Sequence, residues 1–155
     1  MNFEIIPKDR VGSIRLGMSQ TQVRDTLSSN VREIPRAPFD SFIWDSFTNA
    51  GIQVCYGNIT NRNCIAIMLF DPARPVFQGR ELIFGESVQV LSEWLKSIDP
   101  KTESVDDGVL SRELGIYIHA EEDDYEGDDD DDYEITFSID SVTVFKKPFD
   151  VLLRP

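Results

Sequence analysis

Two stretches of this 155-residue chain carry one pattern of apolar and turn-forming residues, so any fold must place that pattern twice. A shift of 68 sets Ile14 on Leu82, Leu16 on Phe84, Gly17 on Gly85, Ser19 on Ser87, Val23 on Leu91 and Leu27 on Leu95. A second block follows at a shift of 64, with Gly51-Ile52-Gln53-Val54-Cys55-Tyr56 on Gly115-Ile116-Tyr117-Ile118-His119-Ala120. Matched blocks in the same order at nearly one offset mark an internal repeat.

Each copy has a physical interpretation. Ser19 stands as an N-cap with Gln22 three residues on, a capping box, and Gly17 permits a tight entry. Val23 and Leu27 then form the apolar stripe of a short helix. Ser87 takes the same part before Leu91, Leu95 and Ile98, with Val90 and Trp94 widening the stripe. Ile52, Val54 and Tyr56 alternate as a strand, as do Ile116 and Ile118 within Leu114–Ala120. Further strands are expected over Cys64–Phe70, Tyr133–Ile139 and Val142–Phe145. The expected fold class is therefore α+β: two tandem helix–strand–strand units, residues 12–70 and 79–146, forming an antiparallel sheet with the helices on one face. At this length the whole chain, 1–155, is expected to be one domain.

The phrase Ile14-Arg-Leu-Gly-Met-Ser-Gln-Thr-Gln-Val23 resembles the opening of small bacterial proteins with the β-lactamase-inhibitory-protein-like fold. Gly51–Tyr56, Phe77–Leu82, Leu114–Tyr117 and Ser141–Phe145 are similar to segments of a family of that repeat type. The resemblance implies a tandem helix–β–β repeat. Because some members are immunity proteins encoded beside polymorphic or contact-dependent toxins, it also implies a role in inhibition. The resemblance does not extend to the acidic run.

That run is the chain's second strong feature. Of the fourteen residues Glu121–Glu134, eleven are acidic: Glu121, Glu122, Asp123, Asp124, Glu126, Asp128, Asp129, Asp130, Asp131, Asp132 and Glu134. Removing their eleven charges from the total of -13 leaves only -2 on the other 141 residues. The run falls between the last strands of the second unit, so it is expected as an elongated hairpin tip on a rigid scaffold. Its bland interpretation is a solvated loop kept for solubility. Its sharper one is a surface for a basic partner, imitating a phosphate backbone in the cleft of a nuclease or another toxin domain. Tyr125 and Tyr133 flank the acidic core as apolar anchors, although Tyr133 also suits ordinary strand packing.

Several chemistries fail on spacing or composition. His119 lies on the strand face opposite Ile116 and Ile118 and has no partner identifiable from the sequence, which marks it as a structural histidine. The aspartates lack calcium-loop spacing, since starting from Asp128 or Asp130 puts Tyr133 or Ile135 at the position of the turn glycine. No phosphate-cradling glycine motif appears, and the scattered Lys and Arg do not suit nucleic acid. A solvated acidic run is the opposite of the desolvated carboxylate pair that acid–base catalysis needs. The expectation is thus a non-catalytic protein with no metal and no cofactor. Cys55 and Cys64 are expected on paired strands and reduced. The segment Met1–Lys8 lacks a basic region followed by an apolar stretch, and no run approaches the length of a membrane helix, so a cytoplasmic location is expected. The alternative function is a scaffold or assembly module that binds a protein through its sheet face.

Overall fold

The computed structural model describes residues 2–28, 30–35, 43–57, 62–123 and 136–147. Strands dominate them. In chain order they are β1 (Asn2–Ile6), β2 (Arg10–Val11), β3 (Ile14–Arg15), α1 (Gln20–Leu27), β4 (Arg32–Pro35), β5 (Ile43–Phe47), a 3-10 turn (Thr48–Ala50), β6 (Ile52–Tyr56) and β7 (Cys64–Leu69). There follow β8 (Arg74–Phe77), β9 (Arg80–Glu81), α2 (Val88–Ile98), β10 (Glu103–Val105), β11 (Gly108–Ser111), β12 (Ile116–Glu122) and β13 (Phe137–Phe145). An eight-stranded antiparallel sheet runs β10-β11-β12-β13-β7-β6-β5-β4, and a five-stranded sheet runs β3-β2-β1-β8-β9 with β1 and β8 parallel.

The expected α+β fold of two helix–strand–strand units with helices on one face is corrected by this architecture. The protein is mostly β, with two sheets and only two α-helices among the described residues. Strand length is part of the reason. Pairs such as Arg10–Val11, Ile14–Arg15 and Arg80–Glu81 are too short to show a period of two, and tight turns rather than periodicity place them. In β8–β9, Phe77 pairs with Arg80 across Gln78-Gly79, both at positive φ, as a two-residue hairpin loop requires. The two strands expected over Tyr133–Ile139 and Val142–Phe145 are described as one, Phe137–Phe145, with residues 133–135 outside the described range.

The main apolar cluster runs through both sheets. It joins Phe3, Ile5, Val11 and Ile14 of the small sheet to Val23 of α1, Leu91 and Leu95 of α2, and the alternate residues Ile52 and Val54, Ile67 and Leu69, Ile116 and Ile118, and Val142 and Val144 of the large sheet. The opposite side of the large sheet carries Trp44, Cys55, Ala66, Leu110, Tyr117 and Phe145, also buried. Cys55 and Cys64 are both buried and are not joined in a disulfide, and they sit in these two different clusters. Around α1 the Ser19–Gln22 capping box is complete. Ser87 occupies the N-cap of α2 but makes no side-chain cap bond, and Val90 is 49% exposed, so neither does what its spacing suggested.

Local geometry coincides at the matched glycines. Gly17 and Gly85 have φ of +98° and +95°, and their amides donate to Cys64 O and Ile139 O at 2.7 and 2.9 Å. A Cβ on Gly51 would lie 2.2 Å from Phe70 O, and one on Gly115 2.1 Å from Phe145 O. Backbone in that position leaves no room for a side chain.

Candidate functional site

The β12–β13 ladder positions the charged end of the molecule. It runs from Ile116↔Val144 to Glu122↔Phe137 and shifts register between His119 and Ala120. Since His119 faces Ser141 and Ala120 faces Ile139, Asp140 is the extra residue of a bulge. Beyond the bulge the ladder closes on acid. Glu121, Glu122 and Asp123 are all exposed. Asp123 is held in place, its amide donating to Thr136 O at 2.8 Å and its carboxylate accepting from Ser138 Oγ at 2.6 Å and Thr136 Oγ1 at 2.7 Å. Those two hydroxyls, Ser138 first, hold the Asp123 carboxyl below the usual carboxylate range. Asp124, Tyr125, Glu126, Asp128, Asp129, Asp130, Asp131, Asp132 and Tyr133 lie outside the described residues.

The bulge also brings together a polar chain that the sequence did not disclose. His119 Nδ1 is 2.5 Å from Asp140 Oδ1, and its Nε2 is 3.6 Å from Asp107 Oδ2. The Tyr117 hydroxyl donates to Asp107 Oδ1. His119 does face away from Ile116 and Ile118, but it has two carboxylate partners. Asp107 arrives through the β10–β11 turn, where Asp106 and Asp107 form the two-residue loop closed by the Val105–Gly108 pair. The bulge that delivers Asp140 has no local sequence mark.

The Tyr117, Asp107, His119 and Asp140 side chains tie the β10–β11 turn to β12 and β13. His119, Glu121 and Asp140 are a described group of metal-ligand types, with ligand atoms within 4.8 Å of one another. The His119–Asp140 separation is that of a hydrogen bond, because two ligands each about 2.0–2.2 Å from one ion stand farther apart. Burial, then the hydrogen bond to Asp107, pushes the Tyr117 phenol above its ordinary range and keeps it a donor. Burial does the same to Tyr56, and it pushes the Cys64 thiol up to about 12.

These groups set an alkaline limit on stability. In the unfolded chain a thiol ionises near about 8.5 and a phenol near about 10, whereas the folded protein keeps those protons. Above about pH 9 the unfolded state therefore binds fewer protons than the folded one, and the unfolding free energy falls as pH rises. Urea melts between about pH 8 and 11, a window that brackets those ordinary pKa values, are expected to show that decline. Tyr56→Phe with Tyr117→Phe should flatten its upper part. A level profile through that window contradicts the assignment.

A cleft of about 390 Å³ opens beside the acidic end, between α2 and the β10–β11 hairpin. Val88 and Ser92 of α2 form one wall, Val105 and Gly108 the other, and Ala120 and Phe137 the floor. Phe137 is the ladder partner of Glu122, so floor and acidic end share one pair of strands. Among the described residues, no helix is long and apolar enough to cross a membrane. No family model, curated protein or solved structure matches the chain.

Proposed function

We propose that this is a cytoplasmic immunity or inhibitor protein that neutralises a basic toxin domain, a nuclease being the concrete case, by binding rather than by catalysis. The observation that carries the proposal is the end of the β12–β13 ladder. Three exposed carboxylates, Glu121, Glu122 and Asp123, continue there directly into the Asp-rich segment. A rigid antiparallel ladder feeding that much negative charge suits steering of a positive cleft, which raises association rates about 10–1000-fold. The motif resemblance to immunity-type proteins points the same way. In the Tyr117–Asp107–His119–Asp140 chain the Tyr117 hydroxyl and His119 Nδ1 are each taken up by a carboxylate, while Asp107 Oδ2 is buried without a hydrogen bond. The sheet-face alternative draws no support from Trp44, Cys55, Ala66 and Phe145, since each is no more than 1% exposed.

Co-purification from native extract, followed by mass spectrometry, tests the proposal. The expected partner is a basic protein that is released by raised salt and whose toxicity is relieved by co-expression. A partner that is acidic, or one whose capture ignores salt, contradicts it.

A further inference from the structure

We infer that the cleft between α2 and the β10–β11 hairpin receives an apolar side chain carried on a Lys/Arg-rich segment of the partner. The inference rests on the proposed function and gives it an anchor point. Charge brings partners together but is screened beyond a Debye length, about 8 Å at physiological salt. Residence needs a desolvated apolar contact inside the charged rim. The cleft supplies one. The exposed large apolar residues among those described are Ile83, Val90, Val105 and Phe137, and two of them, Val105 at 36% and Phe137 at 40%, line this one cavity.

Its rim selects the charge of the occupant. Glu93 and Asp106 border the cleft against the single lining cation Lys96, and Glu122 stands opposite Phe137 in the ladder. An apolar residue flanked by cations fits that rim. A second copy of this chain, at -13, does not, because like charges repel at close range. The volume lies at the lower end of the range of about 300–1000 Å³ typical of small-ligand pockets.

The test uses two fluorescein-labelled synthetic peptides, identical in their Lys and Arg residues, one with Leu-Phe at its centre and the other with Ala-Ala. Anisotropy at physiological salt is expected to show the Leu-Phe peptide binding the parent protein about tenfold tighter. Phe137→Ser with Val105→Ser should bring that preference below about twofold, and so should Gln89→Trp, which narrows the cleft from its helical wall. All three positions are exposed, and an unchanged Tm confirms that each variant folds. Exchanging Asp128–Asp132 for serine should weaken both peptides and leave their ratio intact. If that variant binds both as the parent does while the cleft variants lose the preference, the cleft stands and the acidic-run proposal falls. Equal binding of the two peptides by the parent, no binding of either, or a preference that survives both cleft variants overturns the inference.

Discussion

Replacing Arg24 by alanine is expected to destabilise the protein by about 3 kcal/mol, the low end of what breaking a buried ion pair costs. The reason lies in Asp45, whose side chain is 0% exposed. Arg24 meets it with both arms of the guanidinium, Nε to Oδ2 at 2.8 Å and Nη2 to Oδ1 at 2.7 Å. The Tyr56 hydroxyl donates to Oδ2 at 3.0 Å and Gln20 Nε2 to Oδ1 at 3.2 Å. Without Arg24 a buried carboxylate would keep only neutral donors. The low end applies because the Arg24 side chain is 38% exposed and water takes part of its place. Urea melts read the loss. Exchanging both residues together, Arg24→Leu with Asp45→Leu, should cost less than Arg24→Ala, since no charge is then left buried. A loss under about 1 kcal/mol for Arg24→Ala would show that the pair behaves as a surface pair.

The second large effect is expected at Leu91, on α2. Leu91 and Leu95 are each 0% exposed and belong to the cluster that also holds Val109 and Ile139. Truncation to alanine removes most of a fully buried side chain and leaves a cavity, a loss of about 2–5 kcal/mol. Val90, one residue earlier and 49% exposed, is the internal control, and Val90→Ala should stay within about 0.5 kcal/mol. Equal losses at the two positions would mean that α2 is rotated from the orientation described.

What the sequence disclosed, and what it withheld, follows from the range of each interaction. The capping box at Ser19 and Gln22, the stripe Leu91–Leu95 and the alternation through β6 and β12 arise within a few residues, and local pattern is enough to read them. Gly51 and Gly115 stand out in the pattern, but the carbonyls that their absent side chains admit belong to Phe70 and Phe145, far along the chain. The Arg24–Asp45 pair spans 21 positions and joins a helix to a strand, so nothing near either residue announces it. Asp140 reaches His119 only through a bulge, and Phe137 becomes part of a cleft only once α2 and β10–β11 close around it. Most of the strand content was missed for a related reason. The two-residue strands of the small sheet carry no period of their own and pair only through tertiary contact, while β1 and β5, at five residues each, were long enough to read but lie outside the two matched blocks.

For the acidic end, the most direct measurement is the association rate with the recovered partner at low and at physiological salt, for the parent and for the variant with Asp128–Asp132 exchanged for serine. If this end of the β12–β13 hairpin captures a basic cleft, the parent should slow by about tenfold or more as salt rises. The serine variant should start slower and depend on salt less steeply. Equal rates for the two proteins at every salt concentration would contradict the account and leave the run as a solubility element.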